Sequence, residues 1–194
     1  MSVSGQQTRA AASEVRYDFT RPTEDWETVS GNWAIEEVAG ASHERKALVQ
    51  RATDKEFNVI VAPGGPYDNV AVDVRSKPIS GREDATGGIV FRFSAGHYYV
   101  ISANALEDNF NFYYYGLDSF LASLLGGRHS ITGVSVKAPA LGEWHKLRIT
   151  AEGNHIQGWL NDQHLIDCRT VGLGPARSGY GRKRIRSPHS TICS

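Results

Sequence analysis

The sequence predicts an antiparallel all-β sandwich or barrel, on three observations. Clusters of Gly and Pro interrupt the chain at short intervals from Gly31 to Gly158, which is typical of strands joined by turns. Short runs of alternating apolar and polar residues lie between these clusters. Almost no stretch has the 3.6-residue spacing of an amphipathic helix. Together these features favour a fold of stacked antiparallel sheets.

The alternation is clearest in residues 70–74 and 89–93, where every second side chain is apolar. This period of two predicts half-buried strands, and it places Arg92 on the face opposite Phe91 and Phe93. Aromatic and β-branched residues fit a pleated surface. Their concentration predicts further strands at residues 97–103, 110–115, 144–151, 155–160 and 163–166.

Turn residues join the last three predicted strands. Glu152-Gly153-Asn154 separates one pair and Asn161-Asp162 separates the next. Asn, Asp and Gly adopt positive φ at low cost, so both segments predict tight hairpins and a C-terminal meander. Residues 117–125 carry leucines at helical spacing and are equally compatible with a helix or a loop.

Length and composition predict one folded domain. The chain has 194 residues, of which 40% are hydrophobic, and its formal net charge is zero. This balance excludes a wholly disordered chain, and no apolar run is long enough to cross a bilayer. We expect a disordered segment at 1–13, one domain at 14–168 and an atypical basic tail, also disordered, at 169–194. The first residues lack the apolar region of a signal peptide.

Two cysteines, Cys168 and Cys193, are present and lie far apart in the sequence. Neither belongs to a C-x-x-C pair or to a zinc-finger spacing, so a structural zinc site is not expected. One disulfide is compatible with the sequence. Because Cys193 lies in the predicted tail, we expect two free thiols instead.

A succession of motifs in the middle and late parts of the chain suggests a family. It reads G-G-I-V-F-R-F at 87–93, H-Y-Y-V-I-S-A-N-A-L-E-D-N at 97–109, V-S-V-K-A-P at 134–139, E-W-H-K-L-R-I at 143–149 and L-N-D-Q-H-L-I-D at 160–167. This succession resembles the bacterial domains called 3-keto-disaccharide hydrolases, over residues 17–167. The resemblance implies a concanavalin A-like jelly roll, a carbohydrate ligand and a location outside the cytoplasm, extracellular or periplasmic.

The resemblance breaks after Asp167, where similar domains continue into a final strand. If the last base of each codon is read with the first two of the next, permitted codons for residues 174–194 give P-G-A-V-R-L-W-T-E-A-D-S-V-T-P-F-D-D-L-F, which matches that strand. We therefore hypothesise a reading-frame slip between Asp167 and Gly174, so that the final strand is missing. The alternative is a native basic tail, since G-R-K-R-I-R is typical of nucleic-acid patches. Residues 1–175 carry 16 basic against 21 acidic side chains, and the tail lacks interleaved aromatic residues, so we expect no nucleic-acid partner.

The candidate ligand-binding residues concentrate in the middle of the chain. Aromatic rings stack on sugar rings, while amide, carboxylate and guanidinium groups pair with hydroxyls. The corner at 104–109 is rich in oxygen ligands, and it could bind a sugar, hold Ca²⁺ through Glu107, Asp108 and Asn109, or cap its own backbone through Asx turns. The residues predicted to bind a carbohydrate are Arg92, Tyr99, Asn104, Glu107, Asn109 and Tyr113.

Catalysis is less strongly indicated than binding. Glycosidic hydrolysis requires two carboxyl groups that flank the bond, and the E-x-D-x-x-E pattern of laminarinase-type jelly rolls is absent. Glu24, Asp25 and Glu27 are predicted to lie in an N-terminal loop without a common groove. The resemblance implies a hydrolase that would use Glu107 or Asp108 as general acid or base. A structural or adhesive module without a small ligand is the third reading, and no cofactor is expected unless calcium is one.

Overall fold

The computed structural model of the chain describes residues 14–41, 43–53, 57–65, 67, 69–81, 84–94, 97–116, 127–137, 140–170 and 192–193. The predicted disordered segment at 1–13, the leucine-rich stretch at 117–125 and most of the basic tail lie outside the described residues. Among the described residues, no helix is long and apolar enough to cross a membrane.

Five antiparallel strands form the first main sheet. The strands are β5 (Val70–Ser76), β10 (His145–Glu152), β11 (His155–Leu160), β12 (Gln163–Arg169) and β13 (Ile192–Cys193). Their order from one edge to the other is β13, β12, β11, β10, β5. β10, β11 and β12 are consecutive in the chain, as expected for the C-terminal meander.

Four antiparallel strands form the second main sheet in the order in which they occur along the chain. They are β6 (Thr86–Ser94), β7 (His97–Asn104), β8 (Asn109–Tyr115) and β9 (Arg128–Ser135). Two smaller pairs precede these sheets. β1 (Glu27–Thr28) pairs with β4 (Ile60–Val61), and β2 (Trp33–Glu37) pairs with β3 (Lys46–Gln50). A 3₁₀ turn at His43–Arg45 leads into β3.

The main core lies between the two larger sheets. Each sheet contributes the apolar half of its alternating side chains to this layer, because successive residues of a strand point to opposite faces. Each large apolar side chain buried here contributes about 1.5–3 kcal/mol of transfer free energy. The four-stranded sheet supplies Ile101, Phe110 and Phe112, and the five-stranded sheet supplies Leu147, Ile149, Ile156 and Ile166. The predicted antiparallel β-sandwich is therefore confirmed.

A second, smaller core lies on the other face of the four-stranded sheet, which we call the outer face. Val59 packs there against Tyr98 and Val100, and Phe57 and Val61 lie beside it. The segment around β4 therefore covers the apolar part of the outer face, and the part beyond it carries polar side chains. A ligand could reach the sheet through the accessible side chains of that polar part.

Both predicted hairpins are confirmed. Glu152 pairs with His155 across a turn in which Gly153 has φ 55°. Leu160 pairs with Gln163 across Asn161 and Asp162, whose φ values are 49° and 66°. Positive φ at both central residues is the geometry of a type I′ hairpin, which matches the twist of the strands that it joins.

The alternation breaks in β6, contrary to the sequence prediction. The pairing with β7 shifts register between Phe91 and Ser94, and Arg92 has φ 53°. An extra residue in one strand reverses the faces that follow it. Phe91 consequently lies in the main core and Phe93 packs on the outer face against Tyr98.

The expectation of two free thiols is wrong for Cys168. This residue is buried in β12 and is disulfide-bonded. Its Cα pairs across the sheet with Cys193 of β13. The spacing of the two cysteines in the sequence does not predict this pairing. The pairing depends on the register between β12 and β13, which are far apart in the chain.

Candidate functional site

Beyond the smaller core, the outer face of β7 and β8 carries polar side chains. Cross-strand pairing places Ser102 opposite Asn111, and Asn104 opposite Asn109. Gly88 of β6 continues the first of these rows on one side, and Gly133 of β9 continues it on the other. Ser102 and Asn104 are buried within these rows, so the half-buried amides of Asn109 and Asn111 are the groups that a ligand could contact.

Gly88 and Gly133 lower the surface at the two ends of this row. Both residues are exposed. A Cβ atom at Gly133 would lie 1.8 Å from Oδ1 of Asn111, and one at Gly88 would lie 2.9 Å from the Ile101 carbonyl oxygen. The absent side chains thus leave room for the Asn111 amide and keep the sheet surface open.

Asn104 organises the polar corner at the end of β7. Its Oδ1 accepts hydrogen bonds from the backbone N–H of Leu106 at 3.0 Å and of Ala85 at 3.3 Å. Its Nδ2 donates to Asp84 Oδ1 at 2.5 Å and to Glu107 Oε2 at 3.0 Å. The bond to Leu106 is an Asx turn, so the Asn104 side chain caps its own backbone. The same side chain positions the carboxylates of Asp84 and Glu107.

Glu107 is held at this corner by two amides. Oε2 of Glu107 accepts from Asn104 and also from Asn109 Nδ2, at 3.0 Å in each case. Asn104 is buried, whereas Glu107 is exposed. The network therefore fixes one carboxylate oxygen from the protein side while the residue as a whole stays accessible to solvent.

Asp84 and Glu107 form a carboxylate pair. Both accept a hydrogen bond from the same nitrogen, Nδ2 of Asn104. The two accepting oxygens therefore cannot be farther apart than the sum of those two hydrogen-bond lengths. Asp84 precedes β6 and Glu107 follows β7, so only the folded chain brings these residues together.

An aromatic and cationic patch adjoins the polar row. The Tyr113 ring lies 5.7 Å from that of Phe57, and the Arg128 guanidinium lies 5.5 Å from the Tyr113 ring centroid and 5.6 Å from that of Phe57. Asn111 Nδ2 donates to the Tyr113 hydroxyl at 2.7 Å. This bond joins the polar row to the patch, so both belong to one surface.

Two of the predicted ligand-binding residues lie away from this surface. Tyr99 is buried in the main core, where its ring stacks on Phe91 at 5.6 Å and burial raises the pKa of its phenol. Arg92 donates a hydrogen bond to the Gly153 carbonyl in the hairpin of the opposite sheet. Tyr99 faces inward through strand alternation, and the bulge in β6 redirects Arg92.

The other predicted ligand-binding and calcium-binding residues lie at or near the corner at 104–109. Asn104, Glu107 and Asn109 are joined by hydrogen bonds at the corner. Tyr113 lies further along the outer face of β8, and Asp108 occupies the exposed turn with φ 52°. Among the described residues, no group of three or more His, Cys, Asp or Glu is arranged to hold a metal ion. In the proposed calcium set, Asn109 directs its amide nitrogen at Glu107 rather than an oxygen at a common centre.

Three site residues were missed by sequence reasoning: Asp84, Asn111 and Arg128. Asp84 lies outside every predicted strand. Asn111 and Tyr113 are two positions apart in β8, and this spacing was the available signal for Asn111. Arg128 follows the unassigned stretch at 117–125, so no strand register linked it to Tyr113.

A separate cleft of about 390 Å³ opens beside β1 and Phe93. It is lined in part by Asp25, Glu27 and the Gly64-Gly65 turn. The sequence prediction that these acids share no groove is therefore wrong. Asp25 and Glu27 are two positions apart, the spacing that places side chains on one face of an extended chain.

The comparison with known families decides where this chain belongs. A family model described as a 3-keto-alpha-glucoside-1,2-lyase-like domain matches residues 20–182, which is most of the chain. The chain belongs to this family. The match to the lyase-like domain extends past Asp167, where the motif resemblance was seen to break. No curated protein matches the chain.

A solved structure shares the architecture of this lyase-like domain. The carbohydrate binding module CBM66 from Bacillus subtilis superimposes with a TM-score of 0.58. The two chains are 19% identical, and the alignment covers 77% of this chain and 81% of the other. At this identity the likeness establishes the fold, which is the predicted jelly-roll sandwich.

Proposed function

We propose that the lyase-like domain binds a carbohydrate on the outer face of its four-stranded sheet. One arrangement carries this proposal: the exposed Glu107 carboxylate is held by two amides beside the half-buried Asn111 and the exposed Gly133. Carboxylate and amide groups that are fixed in advance can pair with sugar hydroxyls without first becoming ordered. The name of the structural neighbour, a carbohydrate binding module, supports the same ligand class.

The aromatic patch supplies the apolar contact that such a site requires. A pyranose ring presents C–H groups on one face, and Tyr113 and Phe57 offer aromatic surface at the border of the polar row. Arg128 lies against both rings and could pair with a hydroxyl or a carboxylate of the same ligand. A ligand that spans the row would therefore contact polar and apolar groups together.

Glycan-array screening followed by calorimetric titration tests this proposal. Glu107→Gln should weaken binding about tenfold or more, because a hydrogen bond to a charged group contributes about 1.5–3 kcal/mol. Glu152→Gln, an exposed acid at the far end of β10, is the matched control and should bind like the wild type. Equal affinity of wild type and Glu107→Gln would exclude this surface.

Gly133→Ala tests the open row independently. The added Cβ would meet only the end of the Asn111 side chain, so the amide must move while the backbone pairing can persist. We expect weaker glycan binding with a circular dichroism spectrum like that of the wild type. Retained affinity in Gly133→Ala would argue against a role for the Asn111 row.

A second candidate function is elimination at a 3-keto-glucoside, and the carboxylate pair favours it. A keto group at C3 makes the C2 hydrogen acidic. A base takes that proton, a C1–C2 double bond forms, the bond from C1 to the glycosidic oxygen breaks, and an acid protonates the departing oxygen. Asp84 and Glu107, which share one amide nitrogen, could divide these two roles.

Turnover of a 3-keto-disaccharide decides between binding and catalysis. Loss of turnover in both Asp84→Asn and Glu107→Gln, with activity retained in Asp108→Asn, would favour Asp84 and Glu107 as the catalytic acid and base. Mass spectrometry separates elimination from hydrolysis, because only the hydrolysis products gain the elements of water. Binding without turnover would indicate a carbohydrate-binding module. Absence of both binding and turnover would indicate a structural or adhesive module.

We further propose that the domain acts in an extracellular or periplasmic compartment. The disulfide at Cys168 supports this location, since disulfides persist in oxidising environments. Fractionation of cells that express the natural gene would test it. Recovery of the domain in the cytoplasmic fraction with Cys168 reduced would contradict it.

A further inference from the structure

We propose that the cleft beside β1 is a second binding site, which takes an amine-bearing saccharide. The cleft, of about 390 Å³, is lined by Asp25, Glu27, the segment from Val61 to the Gly64-Gly65 turn and Phe93 of β6. This volume is in the range of small-molecule sites, which combine an apolar wall with a few placed polar groups.

The two carboxylates supply the charge of the site. Asp25 and Glu27 are both exposed. Neither forms an ion pair with any Lys, Arg or His in the described part of the chain. Trp26, between them, contacts Tyr17 on the other side of the segment, with ring centroids 4.9 Å apart. The cleft therefore presents two negative charges that the described protein does not neutralise.

Phe93 supplies the apolar wall. It reaches the cleft because the bulge at Arg92 turns it away from the main core. Tyr98 stacks against the Phe93 ring at 5.7 Å with an interplanar angle of 24°, which supports the ring from behind. A ring held in this way offers a surface for the C–H face of a sugar.

The charge and shape of the cleft select the ligand class. An ammonium group forms charge-assisted hydrogen bonds with carboxylates, which are about twice as strong as neutral ones. Neutral sugars would lack that contribution, and acidic sugars would be repelled. A sugar ring that carries a free amine satisfies both the carboxylates and the aromatic wall. A hexosamine with an unsubstituted amine is the simplest member of this class.

The cleft is separate from the Glu107 corner of the carbohydrate site proposed above. Phe93 packs at the Tyr98 end of β7, whereas Glu107 is held at the Asn104 end. Six residues of extended strand separate Tyr98 from Asn104, which corresponds to about 20 Å. Substitutions of the carboxylates in the cleft should therefore leave the Glu107 corner unchanged, whereas Phe57 and Tyr113 pack on the same small core as Phe93.

Paired titrations of the full chain test the inference. Glucosamine oligomers and N-acetylglucosamine oligomers of equal length are added at low salt, at a pH below the pKa of the amine. We expect the amine form to bind about tenfold tighter or more, and its affinity to fall as salt rises. Equal binding of the two forms, or binding of neither, would overturn the proposal.

Isosteric variants locate the site. Asp25→Asn combined with Glu27→Gln removes both charges at nearly constant volume, so folding should be retained and thermal unfolding checks this. The double variant should lose the preference for the amine form, whereas the matched control Glu152→Gln, an exposed acid outside both sites, should keep it. Unchanged preference in the double variant, or loss of preference in Glu152→Gln, would overturn the assignment to the cleft.

Discussion

Asn104 shows how one buried polar residue fixes the candidate site. Its amide donates two hydrogen bonds to carboxylates and accepts two from backbone N–H groups. A buried polar group is retained only where its bonds are made, and removing it leaves its partners unsatisfied. The same residue therefore contributes to stability and to the position of Glu107.

We predict that Asn104→Ala lowers the free energy of unfolding by about 1–3 kcal/mol, because two backbone N–H groups lose their acceptor. Urea unfolding measures this change. Asn109→Ala is the matched variant, since Asn109 donates only the one side-chain bond to Glu107 and lies nearer the surface. A larger loss in Asn109→Ala than in Asn104→Ala would contradict this account.

Asp167 predicts a pH dependence of stability on the other sheet. A hydrogen bond from His155 at 2.7 Å lowers the pKa of this carboxyl, and a bond from Gln157 at 3.0 Å adds to the effect. A carboxyl whose folded-state pKa lies below its unfolded value stabilises the fold above the unfolded pKa. That contribution is lost as the pH falls through the folded pKa.

Asp167→Asn should therefore be less stable than the wild type at neutral pH. The difference should shrink as the pH falls below about 4, the ordinary range of an aspartate. Urea unfolding at a series of pH values measures both proteins. A stability difference that stays constant from neutral to acidic pH would show that the charge of Asp167 is not its source.

At the scale of elements, the C-terminal hairpins follow from their turn residues. Asn161 and Asp162 adopt the positive φ values that a type I′ turn requires, and Asn161 Oδ1 also accepts a bond from the Lys146 N–H at 2.9 Å. The turn residues were sufficient to predict this hairpin, because a two-residue loop fixes the register of the strands that it joins.

We predict that Asp162→Gly raises the free energy of unfolding by up to about 1 kcal/mol, because glycine adopts positive φ without the Cβ penalty. The lost ion pair with Lys146 is exposed and contributes little. Gly153→Ala should have the opposite sign. Its Cβ would meet nothing within 4 Å, so backbone strain at φ 55° acts alone. Thermal unfolding of Asp162→Gly and Gly153→Ala measures both changes in stability. A stabilising effect of Gly153→Ala would show that positive φ does not determine the stability of these turns.

In β6, the alternation of side chains in the sequence does not predict which face each residue occupies. Its period of two is regular in the sequence, but the register shift after Phe91 sends Phe93 to the opposite face. A bulge is decided by the partner strand and by the hairpin that Arg92 contacts across the sandwich. Those contacts join residues 61 positions apart, so a local pattern does not contain them.

At the scale of the whole molecule, the described residues leave the edges of the five-stranded sheet incompletely paired. β12 pairs with β13 at only two positions within the described residues. At the other edge, Val74 points to the core side of β5 but is 36% exposed. Exposed core-side residues and unpaired edge groups favour aggregation. If a final strand encoded in the adjacent reading frame replaces β13, we expect it to pair with more of the β12 edge than β13 does.

We predict that sequencing the gene will show the frame slip between Asp167 and Gly174. The product with the restored frame should be more soluble, should bind less of a hydrophobic dye and should unfold at a higher temperature than the present chain. The present chain expressed in parallel is the control. A gene without the adjacent-frame reading, or equal solubility and stability of the two products, would support a native basic tail.

The sequence by itself determined the strands β5 to β8 and β10 to β12, the two C-terminal hairpins and the corner that contains Glu107, because these depend on neighbouring residues and on the period of the pleat. Only the tertiary structure decided that Asp84 meets Glu107 and that Asp25 and Glu27 line a cleft with Phe93. It also decided that Tyr99 belongs to the core. These outcomes depend on sheet register and on which face is covered, and both are set by contacts between segments distant in the chain.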